Sequence, residues 1–389
     1  MLRSKHFRIF LILLALISAL STLGQEILLV PIASGLNNPR GVAVLADGRL
    51  VVAEAGLGDD DAGNARGSGT LSIFDDLNQD GDFDDEGERS PLLTEIASYN
   101  TLRYYRSGHD EVFGIGDVLI LDEDRIFFTK DDPFHIAGHE GTGTFTGDVG
   151  IFEVADTKTG TRRLVERAAT LNSFVFDPER QLFYVTESGY NRVMWVNRDG
   201  EADVLVNLPM LEHMQQPVPA GIALDPTTGD LLVALFSGFV YDYFDTVIGF
   251  MPGDARIMRV DPDTGTLSEE LSGLTTAVDV AIDEEGNRFV LEMTTVWPPT
   301  SMPYYFELND PTMLPDPGGY ARFTGRVTMY PAGQDEGIIL ADGLDTPTNI
   351  TYAAGHLYVS TGLGTPGRNI ITPTGIQPIE GMIYRISGF

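Results

Sequence analysis

The chain has 389 residues, no cysteine, and 57 acidic against 25 basic residues, a formal net charge of −32. The missing thiols exclude disulfides, lipid-anchoring cysteines, thiolate nucleophiles and thiolate metal sites, while the charge disfavours nucleic acid and anionic membranes as partners. A length beyond one ordinary core predicts two domains or a closed repeat array.

The N-terminus places Arg3, Lys5 and Arg8 before an apolar run over 9–20, then Ser21, Thr22 and Gly24. This is the pattern of a secretory signal peptide over 1–24, and the apolar run is too short for a comfortable span. It predicts a secreted or periplasmic protein of residues 25–389, with 22 basic residues against 57 acidic ones. No membrane span is expected.

Along that region one pattern recurs six times: a small or polar residue, an apolar strand, an Asp/Gly-rich turn and a second apolar strand. The copies cover 41–54 (GVAVLADGRLVVAE), 117–130 (DVLILDEDRIFFTK), 173–187 (SFVFDPERQLFYVTE), 221–235 (GIALDPTTGDLLVAL), 279–292 (DVAIDEEGNRFVLE) and 349–361 (NITYAAGHLYVST). Each reads as a β-hairpin. A third strand follows most hairpins, as in GTLSIF, GDVGIFEV, ARIMRV, GRVTMY and GMIYRI, with NRVMWV as the variant in the third copy. A weaker fourth closes several units, as in ADVLVNL and GIILADGL. Four short strands per unit predict an all-β fold, a six-bladed β-propeller.

The last unit has only three strands, whereas residues 26–36 (EILLVPIASGL) form an unpaired strand. The N-terminal strand is therefore expected to join the C-terminal blade, removing an exposed edge and making 25–389 one closed domain. An open solenoid or two sandwiches is the rival arrangement.

The phrase LNNPRGVAVLADGRLVVAEAG (36–56), echoed by LNSFVFDPERQLFYVTES (171–188), resembles NHL-type propellers and especially the ScyD/ScyE family of secreted proteins. That resemblance implies a six-bladed propeller with an exported accessory or binding role, and no established catalytic residues. Gluconolactonase and regucalcin propellers invite a second comparison, since they hold a divalent metal near the axis through a glutamate, two asparagines and an aspartate. Asn172 and the following YVTES are similar to one of their segments, but Pro39, Arg40 and Gly41 stand where a metal glutamate is wanted. A metal-dependent lactonase or hydrolase is thus the alternative function.

Aligning the hairpins puts Glu54, Lys130, Glu187, Leu235, Glu292 and Thr361 at one strand end, with Arg40 and Asn172 beside it. Arg40, Glu54, Lys130, Asn172, Glu187 and Glu292 are therefore candidates for an axial ligand site. The structural alternative is an inter-blade ion-pair ring.

The sharpest local motif runs over 75–88 (DDLNQDGDFDDEGE), where Asp76, Asn78, Asp80, Asp82 and Asp84 have calcium-loop spacing around Gly81. With Glu88 they are the candidate ligands of a structural Ca²⁺. A strand precedes the loop and Gly87 occupies position 12, so it is not an EF-hand. A solvated acidic hairpin is the alternative.

His135 and His139 lie in a glycine-rich stretch that denies them a shared helix face. Aromatic segments containing Phe236, Phe239, Tyr241, Tyr243 and Phe244, then Trp297, Tyr304, Tyr305, Phe306 and Tyr320, follow the second strands of the fourth and fifth units. They are expected at the axial end, as walls for a small molecule or protein ligand.

Overall fold

The computed structural model describes residues 26–58, 67–100, 110–121, 125–131, 149–154, 161–166, 170–212, 214–237, 240–241, 247–248, 250–296 and 320–389. The leader 1–24 lies outside them. Among the described residues no helix is long and apolar enough to cross a membrane.

The chain folds as a six-bladed β-propeller, each repeat supplying the inner hairpin of a four-stranded antiparallel sheet. Blade 1 runs outward through Pro39–Val44, Leu50–Glu54, Gly69–Phe74 and Arg89–Ile96. Blade 2 follows with Ile115–Leu121, Arg125–Lys130, Gly150–Val154 and Thr161–Glu166. Leu171–Asp177, Leu182–Glu187, Arg192–Asn197 and Ala202–Asn207 make blade 3. Blade 4 consists of Pro219–Leu224, Leu231–Leu235, Ala255–Val260 and Leu267–Leu274. Ala277–Ile282, Arg288–Glu292, Gly325–Tyr330 and Ile338–Leu344 form blade 5. Blade 6 takes Asn349–Ala353, His356–Thr361 and Gly381–Ser387 from the C-terminus and Leu28–Leu36 from the N-terminus.

The second strands read as continuous apolar runs because both of their faces meet a neighbouring blade. Leu50–Glu54 and Leu231–Leu235 are buried at every position. Outer strands such as Arg89–Ile96 alternate poorly and stay largely exposed. Glycines turn several hairpins: Gly48 has φ 93°, and its amide donates to the Leu45 carbonyl at 2.9 Å. A Cβ there would require a backbone that side chains rarely adopt.

Apolar clusters fill the wedges between blades. Phe183, fully buried, lies 5.0 Å from Phe127 across the seam of blades 2 and 3 and 4.9 Å from Phe176. Truncating such a ring to alanine costs about 3–5 kcal/mol. The ring closes where Leu28–Leu36 pairs antiparallel with Gly381–Ser387, from Leu28 opposite Ser387 to Leu36 opposite Gly381. That pairing covers the edge the last C-terminal strand would otherwise expose.

Candidate functional site

All six inner strands begin at the same end of the ring, where they bound an axial cavity of about 680 Å³. Its wall contains the first residue of every repeat: Gly41, Asp117, Ser173, Gly221, Asp279 and Asn349. Glycine, a carboxylate and a small polar residue alternate twice around the ring, and the alternation is steric as well as chemical. A Cβ on Gly221 would lie 1.8 Å from Asp279 Oδ1, and one on Gly41 2.6 Å from Asp117 Oδ1. Each glycine makes room for the carboxylate of the next blade.

Each carboxylate in turn ties its blade to the one after it. Asp117 Oδ2 accepts hydrogen bonds from Ser173 Oγ at 2.6 Å and the Phe174 amide at 3.3 Å, and Oδ1 accepts from the Val118 amide at 2.8 Å. Asp279 Oδ2 accepts from Asn349 Nδ2 at 2.9 Å and the Ile350 amide at 2.8 Å, while the Val280 amide donates to Oδ1 at 2.8 Å. Every one of these donors is neutral. Burial pushes the Asp117 carboxyl up to about 6, and burial together with the charge of Asp117 holds Asp279 well above the ordinary carboxylate range.

The remaining wall has a charged sector and an aromatic one. Arg40 Nη2 donates to the Val112 carbonyl at 2.6 Å and lies 3.6 Å from Glu111 Oε1. Burial raises the Glu111 carboxyl, an effect that Arg40 opposes. Tyr320 meets Phe236 edge-on at 6.0 Å and stacks on Phe250 at 6.1 Å, with Met293 in the same cluster. Burial, then the Glu111 charge, raises the Tyr320 phenol well above its usual value.

Of the six residues expected at the axial end, Arg40 and Asn172 line the cavity. Asn172 Nδ2 donates to the Pro219 carbonyl at 2.9 Å, linking blades 3 and 4. Glu54, Lys130, Glu187 and Glu292 do end their second strands at the expected position, but they are not in the cavity wall. The two-residue period of a strand explains the division. One residue earlier, Thr186 Oγ1 donates to the Ala220 carbonyl of the next blade at 2.6 Å and Ser360 Oγ to the Arg40 carbonyl at 2.6 Å. The final residue therefore points the opposite way, into the seam with the preceding blade. There Glu54 accepts the Asn37 amide at 2.8 Å and Glu292 the Thr275 amide at 2.8 Å, each capping the segment that enters its own blade. Glu54 pairs with Arg89 and Glu187 with Arg192. Burial raises the carboxyls of Glu54 and Glu292. These acids hold seams rather than facing the axis.

The acidic loop of blade 1 joins Gly69–Phe74 to Arg89–Ile96 and is organised by its own amides. Asp76 Oδ2 accepts from Gly81 N at 3.0 Å, Asn78 Oδ1 from Asp80 N at 2.9 Å, Asp80 Oδ1 from Asp82 N at 3.2 Å, and Asp82 Oδ1 from Asp84 N at 3.1 Å. Glu88 is buried and accepts the Leu77 amide at 2.9 Å. Asp84 reaches across to Ser34, whose amide donates to Oδ1 at 2.7 Å, so the loop also fastens the closing strand. Desolvation, then the charges of Asp80, Glu88 and Asp82, push the Asp85 carboxyl up. Among the described residues no three acidic, histidine or cysteine side chains stand as a preformed metal cluster.

The aromatic segments contribute Phe236 and Tyr320 to the cavity. His135, His139, Phe239, Tyr243, Phe244, Trp297, Tyr304, Tyr305 and Phe306 lie outside the described residues. Sequence reasoning missed Asp117, Asp279 and Glu111 as site residues. The signal for the two aspartates was present, since both open a repeat at the position that gives the ring its small and polar residues.

Comparison with solved structures places the fold among the propellers. A gluconolactonase from Xanthomonas campestris superposes with a TM-score of 0.51 at 11% identity, over 95% of this chain and 92% of its own. A Bacteroides thetaiotaomicron protein of unknown function gives a TM-score of 0.51 at 10% identity, over 93% and 76% respectively. Regucalcin from Agrobacterium tumefaciens aligns at 12% identity and a TM-score of 0.49, over 92% of this chain and 90% of its own. At such identities the likeness is one of fold. No family model matches the chain, and a search of curated proteins finds no match.

Proposed function

We propose that the chain is an exported accessory propeller of the ScyD/ScyE type that binds a small ligand in its axial cavity and takes structural calcium over residues 76–88. The observation that carries the binding role is the cavity itself. It is large enough for a small organic molecule, bounded by all six inner strands, and pairs an aromatic sector with a few fixed polar groups. The leader pattern at 1–24 supports export. A thermal-shift screen of small molecules against the protein and its Phe236→Ala variant tests this reading. A ligand of the cavity raises the midpoint of the parent more than that of the variant; equal shifts throughout would sink it.

The second reading, a metal-dependent lactonase, draws on the two axial carboxylates, Asp117 and Asp279, that share the cavity with Asn172. The donor set does not fit a catalytic divalent ion. Both oxygens of Asp117 and of Asp279 already accept hydrogen bonds from amides and side chains of their own and the following blade. At residues 76–88 the reading rests on spacing, since Asp76, Asn78, Asp80, Asp82 and Asp84 alternate around Gly81 as the oxygen ligands of a hard cation do.

A further inference from the structure

Among the described residues of the cavity wall the one guanidinium, Arg40, is paired with Glu111, and Asp117 and Asp279 have no cationic partner. Asp117 and Asp279 belong to blades 2 and 5, three blades apart and so on opposite sides of the axis. Among the described groups, the hydrogen bonds to these two carboxylates come only from amides, a hydroxyl and a carboxamide, which orient a carboxylate without cancelling its charge. The hydroxyl of Thr170, in the same wall and only 7% exposed, has no hydrogen-bond partner among the described residues. Opposite in character is the apolar sector of Phe236, Met293 and Tyr320.

We infer that the cavity selects an organic cation, an ammonium group seated at the axis between Asp117 and Asp279 with its apolar body against Phe236 and Tyr320. This rests on the cavity being the ligand site. A bare metal ion is a poorer occupant, because a hard cation needs six or more converging oxygens, and the carboxylate oxygens are engaged by the neighbouring blade. An ammonium needs only the field of two carboxylates and the face or edge of aromatic rings, both of which favour a cation excluded from water.

Calorimetry with three probes of one shape and different charge tests the inference: phenethylammonium, 2-phenylethanol and phenylacetate. The parent protein is expected to bind phenethylammonium at least tenfold more tightly than the alcohol and to show no phenylacetate binding. Asp117→Asn and Asp279→Asn each remove that preference, while Phe236→Ala weakens every probe that binds. The comparison of probes on the parent needs no variant to fold. If the alcohol or phenylacetate binds as well as the ammonium and Phe236→Ala weakens it, the cation preference is overturned and the cavity remains the site. If no probe binds, or Phe236→Ala changes nothing, the cavity reading falls with it.

Discussion

Two groups of acids in this propeller show opposite ways of holding carboxylates. In the blade 1 loop they are packed in sequence, exposed or half-exposed apart from Glu88, and capped by the amides of the next few residues. At the axis Asp117 and Asp279 are 162 positions apart in the chain, half-buried and buried respectively, and held by the next blade. The loop is a local object that solvent or a cation can neutralise. The axial pair exists only when the ring has closed, and burial favours its neutral form. The difference teaches that stability should depend on the axial acids through packing and pH, and on the loop acids through ions.

The largest expected effect is steric. Gly221→Ala puts a methyl 1.8 Å from Asp279 Oδ1 and 2.5 Å from its Cα, contacts that backbone must move to relieve. A loss of roughly 4 kcal/mol or more is expected in urea denaturation, if the variant folds at all. Gly81→Ala in the acidic loop has φ 95° but its nearest neighbour is Arg385 Nη2 at 3.6 Å, so only backbone strain of about 1–2 kcal/mol applies. Equal losses in the two variants would erase the distinction between the regions.

The pH dependence comes next. Asp117 has an ordinary value of 3.8 and about 6 in the folded chain. A carboxyl with a raised folded value binds more protons folded than unfolded, so its favourable contribution is complete below about 3.8. That contribution is lost as pH climbs through about 6. The difference corresponds to about 3 kcal/mol between those limits, and Asp279 acts in the same direction. Denaturation midpoints taken from pH 4 to 7 should therefore fall less steeply in Asp117→Asn than in the parent. An unchanged slope would show that the axial acid is ionised in the folded protein throughout.

The fold was legible because it is written in short range. Apolar runs, Asp/Gly turns and the six-fold rhythm located every inner hairpin, and the six second strands end at the aligned residues from Glu54 to Thr361. The unpaired N-terminal strand was legible too, since an uncovered edge demands a partner. The site was only half legible. Alignment gives the height of a residue on its blade, and Glu54 and Asp117 stand at the same end of the ring. It does not give the direction of the side chain, which one step of strand pleating reverses. Glu54 therefore turned into a seam, while the first residue of each repeat, valued in sequence only for being small or polar, faced the axis.

The smallest effect separates the regions by their response to ions. If the 76–88 loop takes calcium as proposed, and only in the folded chain, excess ion should stabilise by roughly 2 kcal/mol at a few tens of times its dissociation constant. Asp76→Ala and Asp80→Ala should each remove that gain, because Asp76 takes the Gly81 amide that makes the sharp turn and Asp80 takes the Asp82 amide that follows it. Asp279→Asn should keep the calcium gain in full, since its oxygens accept from blades 5 and 6 and not from the acidic loop. Removing calcium with EDTA should also loosen the closing strand, because Asp84 in the same loop holds Ser34. Hydrogen exchange over residues 28–36 reads that coupling directly. Faster exchange after EDTA in the parent, with no change in Asp76→Ala, ties the ion to ring closure; identical exchange with and without calcium in both would reduce the acidic loop to a solvated turn.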